Sequence, residues 1–361
     1  MFSAADHAYM ARALELAARG LTTTAPNPRV GCVLVRGGEV IAEGWHERAG
    51  GPHAEAHALA LAGVAAKGTT AYVTLEPCSH YGRTPPCADA LIAAGVARVV
   101  AAMEDPNPKV AGTGMARLAA AGIETAVGLM EVEARELNVG FVSRMTRGRP
   151  WVRLKTAASL DGRTALSNGL SQWITGPEAR RHGHGWRARA CAILTGIGTV
   201  REDDPSLTVR DVPCERQPLR VVVDSRLEIS PAAKVLAGGN ALIFAAVPEV
   251  EKSAILATQG IEVVVLPNAA GKVDLAAMLA ELARRGINEV HVEGGEKLNG
   301  SLLREGCVDE LLIYQAPILL GDKARGMFGL PELSDLSGAL RLSIVERRVI
   351  GADLFLRARL A

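Results

Sequence analysis

The spacing of apolar residues over the first 147 positions predicts alternating helices and strands. Apolar residues recur at helical spacing over 3–19, and this segment ends at Gly20. Short β-branched runs then predict a hairpin that turns at Arg36-Gly37-Gly38. The predicted strands cover 30–35, 39–44, 70–75 and 96–103, and the further predicted helices cover 55–65, 85–94, 113–121 and 131–146. This order favours an α/β layered domain with a mixed sheet.

The segment Gly148-Arg149-Pro150 marks the point at which a second alternating pattern begins. Apolar, β-branched runs alternate with helical segments from there onwards. The predicted strands of this second half cover 151–157, 192–196, 219–224, 241–246, 262–266, 289–293 and 310–315. We therefore expect two α/β domains, spanning residues 1–147 and 148–361, each of ordinary domain size.

The composition of the 361-residue chain narrows the class of protein. Aromatic residues make up 4% of the chain and the net charge is +1. A nucleic-acid binder usually has a basic surface with stacking aromatic side chains, so this composition argues against that class. Six cysteines are too few for a disulfide scaffold. The N-terminus lacks the apolar stretch of a signal peptide, and no apolar run reaches the ~18 residues of a membrane span. We expect a cytoplasmic protein with neither a nucleic-acid nor a membrane partner.

The strongest local signal combines one histidine with two cysteines. His53-Ala54-Glu55 opens a predicted helix, Cys78 follows the strand over 70–75, and Cys87 enters the next helix. One imidazole and two thiolates form a three-ligand zinc shell that leaves a fourth position for water. A carboxyl group two residues from the histidine can move a proton between that water and a leaving amine. This combination is typical of zinc deaminases, although eight residues, rather than two, separate the cysteines here.

A structural zinc site is the main alternative interpretation of these ligands. His80 would then close the shell as a fourth ligand, and Glu55 would have no role. We prefer the catalytic interpretation, in which His80 lines the pocket. His57, one helical turn from His53, is interpreted as an ordinary surface or core histidine.

The segment Tyr72–Cys87 (YVTLEPCSHYGRTPPC) resembles a family of bifunctional riboflavin-biosynthesis proteins. In that family a diaminohydroxyphosphoribosylaminopyrimidine deaminase is fused to a 5-amino-6-(5-phosphoribosylamino)uracil reductase, and the eight-residue spacing is the family's own form of the motif. The resemblance covers nearly the whole chain. Further matching stretches are TAPNPRVG (24–31), HAEAHAL (53–59), DPNPKVAGTG (105–114), GRPWVRLKTAASLDGRT (148–164), SQWITGPEAR (171–180), GTVREDDPSLTVR (198–210), VEGGEKLNGSLL (292–303) and APILLG (316–321).

The resemblance implies a cytidine-deaminase-like three-layer α/β/α domain followed by a dihydrofolate-reductase-like α/β domain. The first would deaminate 2,5-diamino-6-(5-phosphoribosylamino)pyrimidin-4(3H)-one with one zinc ion, held by His53, Cys78 and Cys87, while Glu55 shuttles the proton. The implied pyrimidine pocket is lined by Asn27, His46, His80 and Asn107. Both asparagines precede prolines, so a purely local turn role is the alternative for them.

The second domain would use NADPH to reduce the ribosyl group of 5-amino-6-(5-phosphoribosylamino)uracil to ribityl. Its own residues exclude a standard Rossmann unit, because no Gly-x-Gly-x-x-Gly follows a strand. Val292-Glu293-Gly294-Gly295 instead leads from a strand into a predicted helix over 297–304. Exposed N–H groups there suit a pyrophosphate, and a plain glycine turn is the alternative. The dinucleotide contacts implied by the resemblance are Ala157, Trp173, Thr199, Asp203, Gly295, Glu296, Lys297, Leu298, Asn299, Gly300 and Ser301.

The resemblance also implies substrate contacts in the second domain. Arg187 and Arg210 suit the substrate's phosphate, because a guanidinium pairs with phosphate oxygens through two parallel hydrogen bonds. Lys155 or Glu293 would assist protonation at the sugar. The full implied set is Lys155, Ser171, Arg187, Leu207, Arg210 and Glu293.

Three other functions stay open at this stage. A zinc-stabilised nucleotide-binding module would bind metal without turnover. A nucleic-acid base deaminase is disfavoured by the composition, and a chain with one active domain is disfavoured by intact motifs in both halves. The sequence determines neither whether the protein is a homo-oligomer nor which residue reads the cofactor's 2′-phosphate.

Overall fold

The structure is a computed structural model that describes residues 1–80, 85–108 and 110–360. The chain forms two compact units, Met1–Gly148 and Arg149–Ala361. Each unit has its own hydrophobic core, with Leu34, Met103 and Leu118 in the first and Leu154, Phe244 and Leu302 in the second. None of the helices in the described part of the chain is long and apolar enough to cross a membrane.

The first unit contains a five-stranded mixed sheet in the order β2-β1-β3-β4-β5. The strands are β1 (Gly31–Arg36), β2 (Glu39–Trp45), β3 (Thr70–Val73), β4 (Arg98–Ala101) and β5 (Glu124–Val127). The helices are α1 (Ala4–Ala18), α2 (Ala54–Ala62), α3 (Cys87–Ala93), α4 (Thr113–Ala120), α5 (Glu131–Leu137) and α6 (Val139–Arg147). Strands β3, β4 and β5 run parallel, so the segments that follow β3 and β4 leave the same edge of the sheet.

Two glycines let helices pack closely on the opposite faces of this sheet. A Cβ atom at Gly31 would lie 2.0 Å from the Ala13 carbonyl oxygen of α1, and one at Gly44 would lie 2.5 Å from the Ala54 carbonyl oxygen of α2. Gly44 pairs with Cys32, the neighbour of Gly31 on β1. Successive residues of a strand point to opposite faces, so α1 and α2 cover different faces and the unit has three layers.

The structure differs from the sequence prediction at two places in the first unit. The pattern did not predict β5, a short strand at the edge of the sheet whose residues are all at least partly exposed. The helix predicted over 131–146 is two helices, α5 and α6, which meet at Asn138. Asn138 is buried there, and its side chain hydrogen-bonds the backbone N–H and C=O of Arg29 at 2.8 and 2.9 Å.

The second unit contains a nine-stranded sheet in the order β11-β10-β9-β8-β12-β6-β13-β16-β15. The strands are β6 (Trp151–Ser159), β7 (Arg163–Ala165), β8 (Ala192–Gly196), β9 (Leu219–Val223), β10 (Ala241–Ala245), β11 (Glu262–Val265), β12 (Glu289–Val292), β13 (Glu310–Ala316), β14 (Arg325–Gly326), β15 (Leu342–Ile350) and β16 (Asp353–Leu360). The helices are α7 (Pro177–Arg189), α8 (Ile197–Asp203), α9 (Val250–Thr258), α10 (Leu275–Arg284) and α11 (Glu296–Arg304).

The central strands of this sheet are parallel, which sets the position of the connecting segments. β8, β12, β6 and β13 run in the same direction, so their carboxyl ends meet at one edge. All seven strands predicted for this half are confirmed. They could be predicted because continuous apolar runs are typical of a parallel sheet covered on both faces. The prediction missed β15 and β16, which pair antiparallel at the end of the sheet, and the small β7–β14 pair.

Candidate functional site

His53, Cys78 and Cys87 converge at the edge of the first sheet. His53 is the residue immediately before α2, Cys78 follows β3, and Cys87 is the first residue of α3. The candidate ligand atoms of the three side chains all lie within 4.8 Å of one another. The His53 Nδ1 atom is 3.3 Å from Cys87 Sγ and 3.7 Å from Cys78 Sγ. Residues 81–84 of the segment between the two cysteines lie outside the described residues.

These distances fit a tetrahedral zinc shell. Zn–N and Zn–S bonds of ordinary length separate two tetrahedral ligand atoms by about 3.6 Å. The observed nitrogen–sulfur distances of 3.3 and 3.7 Å bracket that value. A histidine with two cysteines is also a common donor set for zinc. Among the described residues, His53, Cys78 and Cys87 form the only group of three or more histidine, cysteine or acidic side chains that lie close enough together to hold a metal ion.

Hydrogen bonds within the cluster favour the thiolate form of Cys78, which is the form that binds a metal ion. The Cys87 backbone N–H donates to Cys78 Sγ at 3.3 Å. The Cys87 thiol and His53 also hydrogen-bond Cys78, and together these contacts lower the pKa of the Cys78 thiol. The hydrogen bond to Cys78, burial and the nearby Glu55 raise the pKa of the Cys87 thiol. A zinc ion displaces a thiol proton on binding, since thiolate is the form that ligates metal.

Glu55 lies in the first turn of α2 and is almost fully buried, with 3% of the residue exposed. It hydrogen-bonds the Cys87 thiol and is not one of the three candidate ligands. Burial raises the pKa of Glu55 to about 7. A carboxyl group in this environment can both accept and release a proton near neutral pH.

Asn27 and His46 form a hydrogen-bonded pair beside the metal ligands. The His46 Nδ1 atom is 2.9 Å from the Pro52 carbonyl oxygen, and a carbonyl can only accept, so Nδ1 carries the proton. His46 Nε2 then accepts from Asn27 Nδ2 at 3.1 Å. Burial lowers the pKa of His46, which favours the neutral ring, and the ring packs edge-on to His53 at 5.5 Å between centroids. The structure therefore brings two of the four predicted pocket residues to the metal ligands.

The other two predicted pocket residues lie on segments that leave the same edge of the sheet. Asn107 is half-buried in the segment after β4, and its backbone N–H donates to the Asp105 carboxylate at 2.8 Å. His80 is exposed, two residues after Cys78. Both His80 and Cys78 are close enough to Asp105 to influence its pKa, which burial raises. The Asp105–Asn107 turn therefore lies near the metal ligands.

In the second unit two helices begin at the carboxyl ends of neighbouring parallel strands. Gly196 precedes α8 at the end of β8, and Gly295 precedes α11 just after β12. A Cβ atom at Gly295 would lie 3.7 Å from the Thr199 hydroxyl oxygen, and one at Gly196 would lie 3.2 Å from Leu298. The two helix starts are thus packed together, and their free N–H groups suit an anionic ligand.

The seven residues predicted to contact a dinucleotide over 295–301 are not equivalent in the structure. Gly295 and Lys297 are exposed, whereas Asn299 and Gly300 are buried. Asn299 Nδ2 donates to the Met327 carbonyl at 3.2 Å. The other three residues are partly exposed: Glu296, Leu298 and Ser301. The first turn of α11 is therefore available to a ligand, while the second packs against the chain.

Lys155, Arg187 and Glu293 meet at the carboxyl edge of the second sheet. Arg187 donates to both carboxylate oxygens of Glu293, from Nε and, at 3.0 Å, from Nη2. Lys155 Nζ lies 4.0 Å from Glu293 Oε2. Burial lowers the pKa of Lys155, an effect that Glu293 opposes. Burial would raise the pKa of Glu293, but the charges of Arg187 and Lys155 hold it well below its usual value, and the His291 Nε2 atom lies 3.4 Å from Glu293 Oε1.

The segment from Asp203 to Arg210 runs beside this cluster. The Thr208 carbonyl accepts from Arg187 Nη1 at 2.9 Å. Leu207 is buried with a φ of +49°, a conformation that bulky residues adopt only where their surroundings impose it. Arg210 is exposed, and its guanidinium touches the Thr208 hydroxyl at 3.3 Å.

The remaining predicted residues of the second unit lie on β6 and on the segments around it. Ser171 hydrogen-bonds the Asp203 carboxylate, whose pKa is raised by partial burial and by Glu202. Ala157 lies two residues after Lys155 on β6 and therefore on the same face. Trp173 is 69% exposed, and its ring stacks on Arg180 at 4.6 Å.

Two residues with extensive polar contacts at these sites escaped the sequence prediction. Glu76 is buried two positions before Cys78, where an acidic residue at the end of an apolar strand was an available signal. His184 belongs to no motif that predicts a role, but its Nδ1 accepts the Arg210 backbone N–H at 3.2 Å. No local sequence feature could have shown that contact.

Comparison with known proteins assigns both units to described families. Residues 3–103 match the cytidine and deoxycytidylate deaminase zinc-binding region, and residues 150–356 match the RibD C-terminal domain. The chain is therefore a bifunctional enzyme with a deaminase domain and a reductase domain, as the resemblance predicted.

The matches to individual proteins extend over the whole length. The chain is 50% identical to the riboflavin biosynthesis protein RibD of Escherichia coli (strain K12), covering 97% of this chain and 98% of that one. A solved structure of Acinetobacter baumannii RibD superposes with a TM-score of 0.92 at 43% identity, covering 99% of both chains. A diaminohydroxyphosphoribosylaminopyrimidine deaminase/5-amino-6-(5-phosphoribosylamino)uracil reductase from Thermotoga maritima gives 0.88 at 34% identity, again covering 99% of both chains. The chain belongs to the RibD family of riboflavin-biosynthesis proteins, and the predicted fold class is confirmed.

Proposed function

We propose that the first unit removes the 2-amino group of 2,5-diamino-6-(5-phosphoribosylamino)pyrimidin-4(3H)-one as ammonia. The observation that carries this proposal is the convergence of His53, Cys78 and Cys87 with a buried carboxyl group, Glu55, beside them. These three side chains would hold one zinc ion. Such an ion supplies a water that is activated at neutral pH.

Glu55 is the residue that would move the proton in this reaction. Its carboxyl oxygen accepts the proton of the attacking water and returns it to the amine that leaves as ammonia. The burial of Glu55 favours this use, because a group whose pKa is about 7 serves as base and acid in turn. A zinc-stabilised binding module without turnover is less well supported, since it needs no buried carboxyl group next to a complete set of ligands.

Asn27, His46, His80 and Asn107 would bind the pyrimidine. The hydrogen bond from His46 to Pro52 fixes the ring's tautomer, and the contact with Asn27 orients the amide. A pocket built from such preset donors and acceptors recognises ring nitrogens and exocyclic groups without reorganisation during the reaction.

For the second unit we propose NADPH-dependent reduction of the ribosyl group of 5-amino-6-(5-phosphoribosylamino)uracil to ribityl. The starts of α8 and α11 would bind the dinucleotide phosphates, with Thr199 and Gly295 at their junction. Trp173, Ala157 and Asp203 would contact the rest of the cofactor. NADPH supplies the hydride, and the protein positions the sugar against it.

The substrate would be held by Lys155, Ser171, Arg187, Leu207, Arg210 and Glu293. Arg210 is the exposed guanidinium of this set and suits the phosphate. Lys155 is the candidate proton donor at the sugar, because burial lowers the pKa of its ammonium group and so eases release of its proton.

Ammonia release from the diaminopyrimidinone ribosyl-phosphate tests the proposal directly. We would compare the native protein with Glu55→Gln, which keeps the size of the side chain but cannot accept the proton. Zinc is quantified in both samples, and NADPH oxidation is followed with the deaminated product supplied separately. We expect Glu55→Gln to retain zinc and NADPH oxidation while ammonia release falls by about 10²–10⁴-fold.

Each alternative result identifies a different error. Equal ammonia release by the two proteins would remove Glu55 from the mechanism. Absence of ammonia from the native, zinc-loaded protein would favour the binding module. Loss of NADPH oxidation in Glu55→Gln would instead indicate that the substitution damages the whole chain.

A further inference from the structure

Glu76 connects the metal-ligand segment to the segment that follows β4. Its carboxylate accepts four backbone N–H groups from that segment: Oε1 accepts from Gly114 at 2.7 Å and Met115 at 3.3 Å, and Oε2 accepts from Gly112 at 2.9 Å and Asp105 at 3.1 Å. Only 3% of Glu76 is exposed. A single buried side chain therefore satisfies the backbone donors at the start of α4 and at the Asp105 turn.

Other contacts bring the same two segments together. The Ser79 and Thr113 hydroxyls are 2.6 Å apart, and Arg117 donates to the Ser79 carbonyl at 3.2 Å. A Cβ atom at Gly114 would lie 2.0 Å from the Pro77 carbonyl oxygen, so the two backbones touch there. Glu76 thus lies at the centre of a tightly packed junction, with Cys78 two residues away.

One of the hydrogen bonds of Glu76 reaches the turn that carries Asn107, a predicted pocket residue. Asp105, whose N–H Glu76 holds, accepts the N–H of Asn107 through its own side chain at 2.8 Å. Asn107 is therefore positioned through two successive carboxylate–backbone hydrogen bonds that begin at Glu76. A substrate held by Asn107 and attacked at the metal would experience any change in the distance between the two segments.

We propose that Glu76 is a positioning residue of the deaminase, which sets Asn107 at the distance from Cys78 that the pyrimidine ring requires. This inference rests on the deamination proposed above. Glu76 does not touch the reacting atoms; it acts through the Asp105–Asn107 turn. A carboxylate suits this role because both of its oxygens accept and neither donates.

Glu76→Gln tests this role with the least change in size. The amide places an NH₂ group against two of the four backbone donors, which leaves buried donors without acceptors. Asp6→Asn is the matched control in the same unit. Asp6 is also buried and also accepts four donors, from the Ser3 backbone and hydroxyl, Tyr72 and Arg98, but at the start of α1.

Three measurements separate positioning from general destabilisation: zinc content, deaminase kcat and KM, and amide hydrogen exchange over 105–115. For Glu76→Gln we expect unchanged zinc, a rise in KM of about tenfold that exceeds the fall in kcat, and faster exchange at Gly112 and Gly114. Asp6→Asn should leave KM and this exchange unchanged. Adding Asn107→Ala to Glu76→Gln should raise KM by less than the product of the two single effects.

The inference is overturned if both carboxylate variants change KM equally, or if the effects of Glu76→Gln and Asn107→Ala multiply. It is also overturned if Glu76→Gln keeps native KM in an active protein, a result that leaves the proposed deamination intact. A native, zinc-loaded protein that releases no ammonia would overturn the proposed function and this inference together.

Discussion

Arg187 and Glu293, which are 106 positions apart in the sequence, form a two-contact ion pair at the edge of the second sheet. A third N–H of Arg187 donates to the Thr208 carbonyl at 2.9 Å. Three of its donors are therefore engaged within the chain, and Arg187 fixes both the Glu293 carboxylate and the segment that carries Arg210. Arg187 would thus shape the substrate site as well as contact the substrate.

Arg187→Ala should destabilise the second unit by about 3 kcal/mol, because it removes the main counter-charge of a mostly buried carboxylate. Arg226→Ala, which removes a largely exposed arginine near Glu228, should change stability by about 1 kcal/mol or less. Urea unfolding followed by tryptophan fluorescence measures both in a Trp45→Phe background, where Trp151, Trp173 and Trp186 all report on the second unit. Equal losses of unfolding free energy in the two variants would show that the buried Arg187–Glu293 pair stabilises the unit no more than an exposed pair does.

His184 should make the second unit less stable in mild acid. Burial and the charge of Arg187 lower the pKa of His184 from 6.5 to about 4. Asp211 and Glu293 oppose this shift, and Arg210 reinforces it. Between those two pH values the unfolded chain binds a proton that the folded chain does not. The contribution of neutral His184 to the free energy of unfolding is therefore fully present above pH 6.5 and is lost as the pH falls towards 4.

His184→Gln keeps a hydrogen-bond acceptor for the Arg210 N–H and removes the titration. Its unfolding free energy should therefore depend less steeply on pH than that of the native protein between pH 4 and 6.5. Urea unfolding at several pH values, in the Trp45→Phe background, measures this slope. His7→Gln, an exposed histidine of the first unit, is the control and should leave the slope of the second unit unchanged. An unchanged slope in His184→Gln would contradict the assignment.

Cys87→Ala should abolish the binding of zinc at one equivalent per chain, because two side chains rarely hold zinc against dilution. Cys32→Ala is the matched control, since Cys32 is equally buried in the same unit but lies on β1 outside the ligand group. Zinc is measured after gel filtration, and the melting temperature of each protein is compared with and without a chelator. A chelator should lower the melting temperature of Cys32→Ala but not that of Cys87→Ala. Stoichiometric zinc in Cys87→Ala would refute the proposed ligand set.

Gly300→Ala should destabilise the second unit even though alanine favours helices by about 1 kcal/mol. The added Cβ atom would lie 2.3 Å from the Gly329 carbonyl oxygen, so α11 would have to move away from that segment, at a cost of about 1–3 kcal/mol. NADPH affinity should fall as well, because the first turn of the same helix would bind the cofactor. Gly185→Ala in α7 has open space around the new atom and should be neutral or stabilising. Stabilisation by both substitutions would show that α11 is free to shift.

Much of the fold follows from local patterns. The continuous apolar runs of β8, β10 and β12 predicted parallel strands because each is buried on both faces. Strand β15 gave no such signal, because nearly all of its residues are exposed and only pairing with β16 makes it a strand. The break between α5 and α6 also escaped the pattern, since it depends on the contact of Asn138 with a distant residue, Arg29.

The sequence by itself determined the chemistry of the first site. His53, Glu55, Cys78 and Cys87 occur in short motifs whose local structure, a strand end or a helix start, already orients each side chain. Only the tertiary structure decided which groups hold these motifs in place. The Glu76 contacts and the Arg187–Glu293 pair join segments that are distant in the sequence. Such hydrogen bonds form only after the sheets have assembled, and they leave no periodicity in the chain from which they could be predicted.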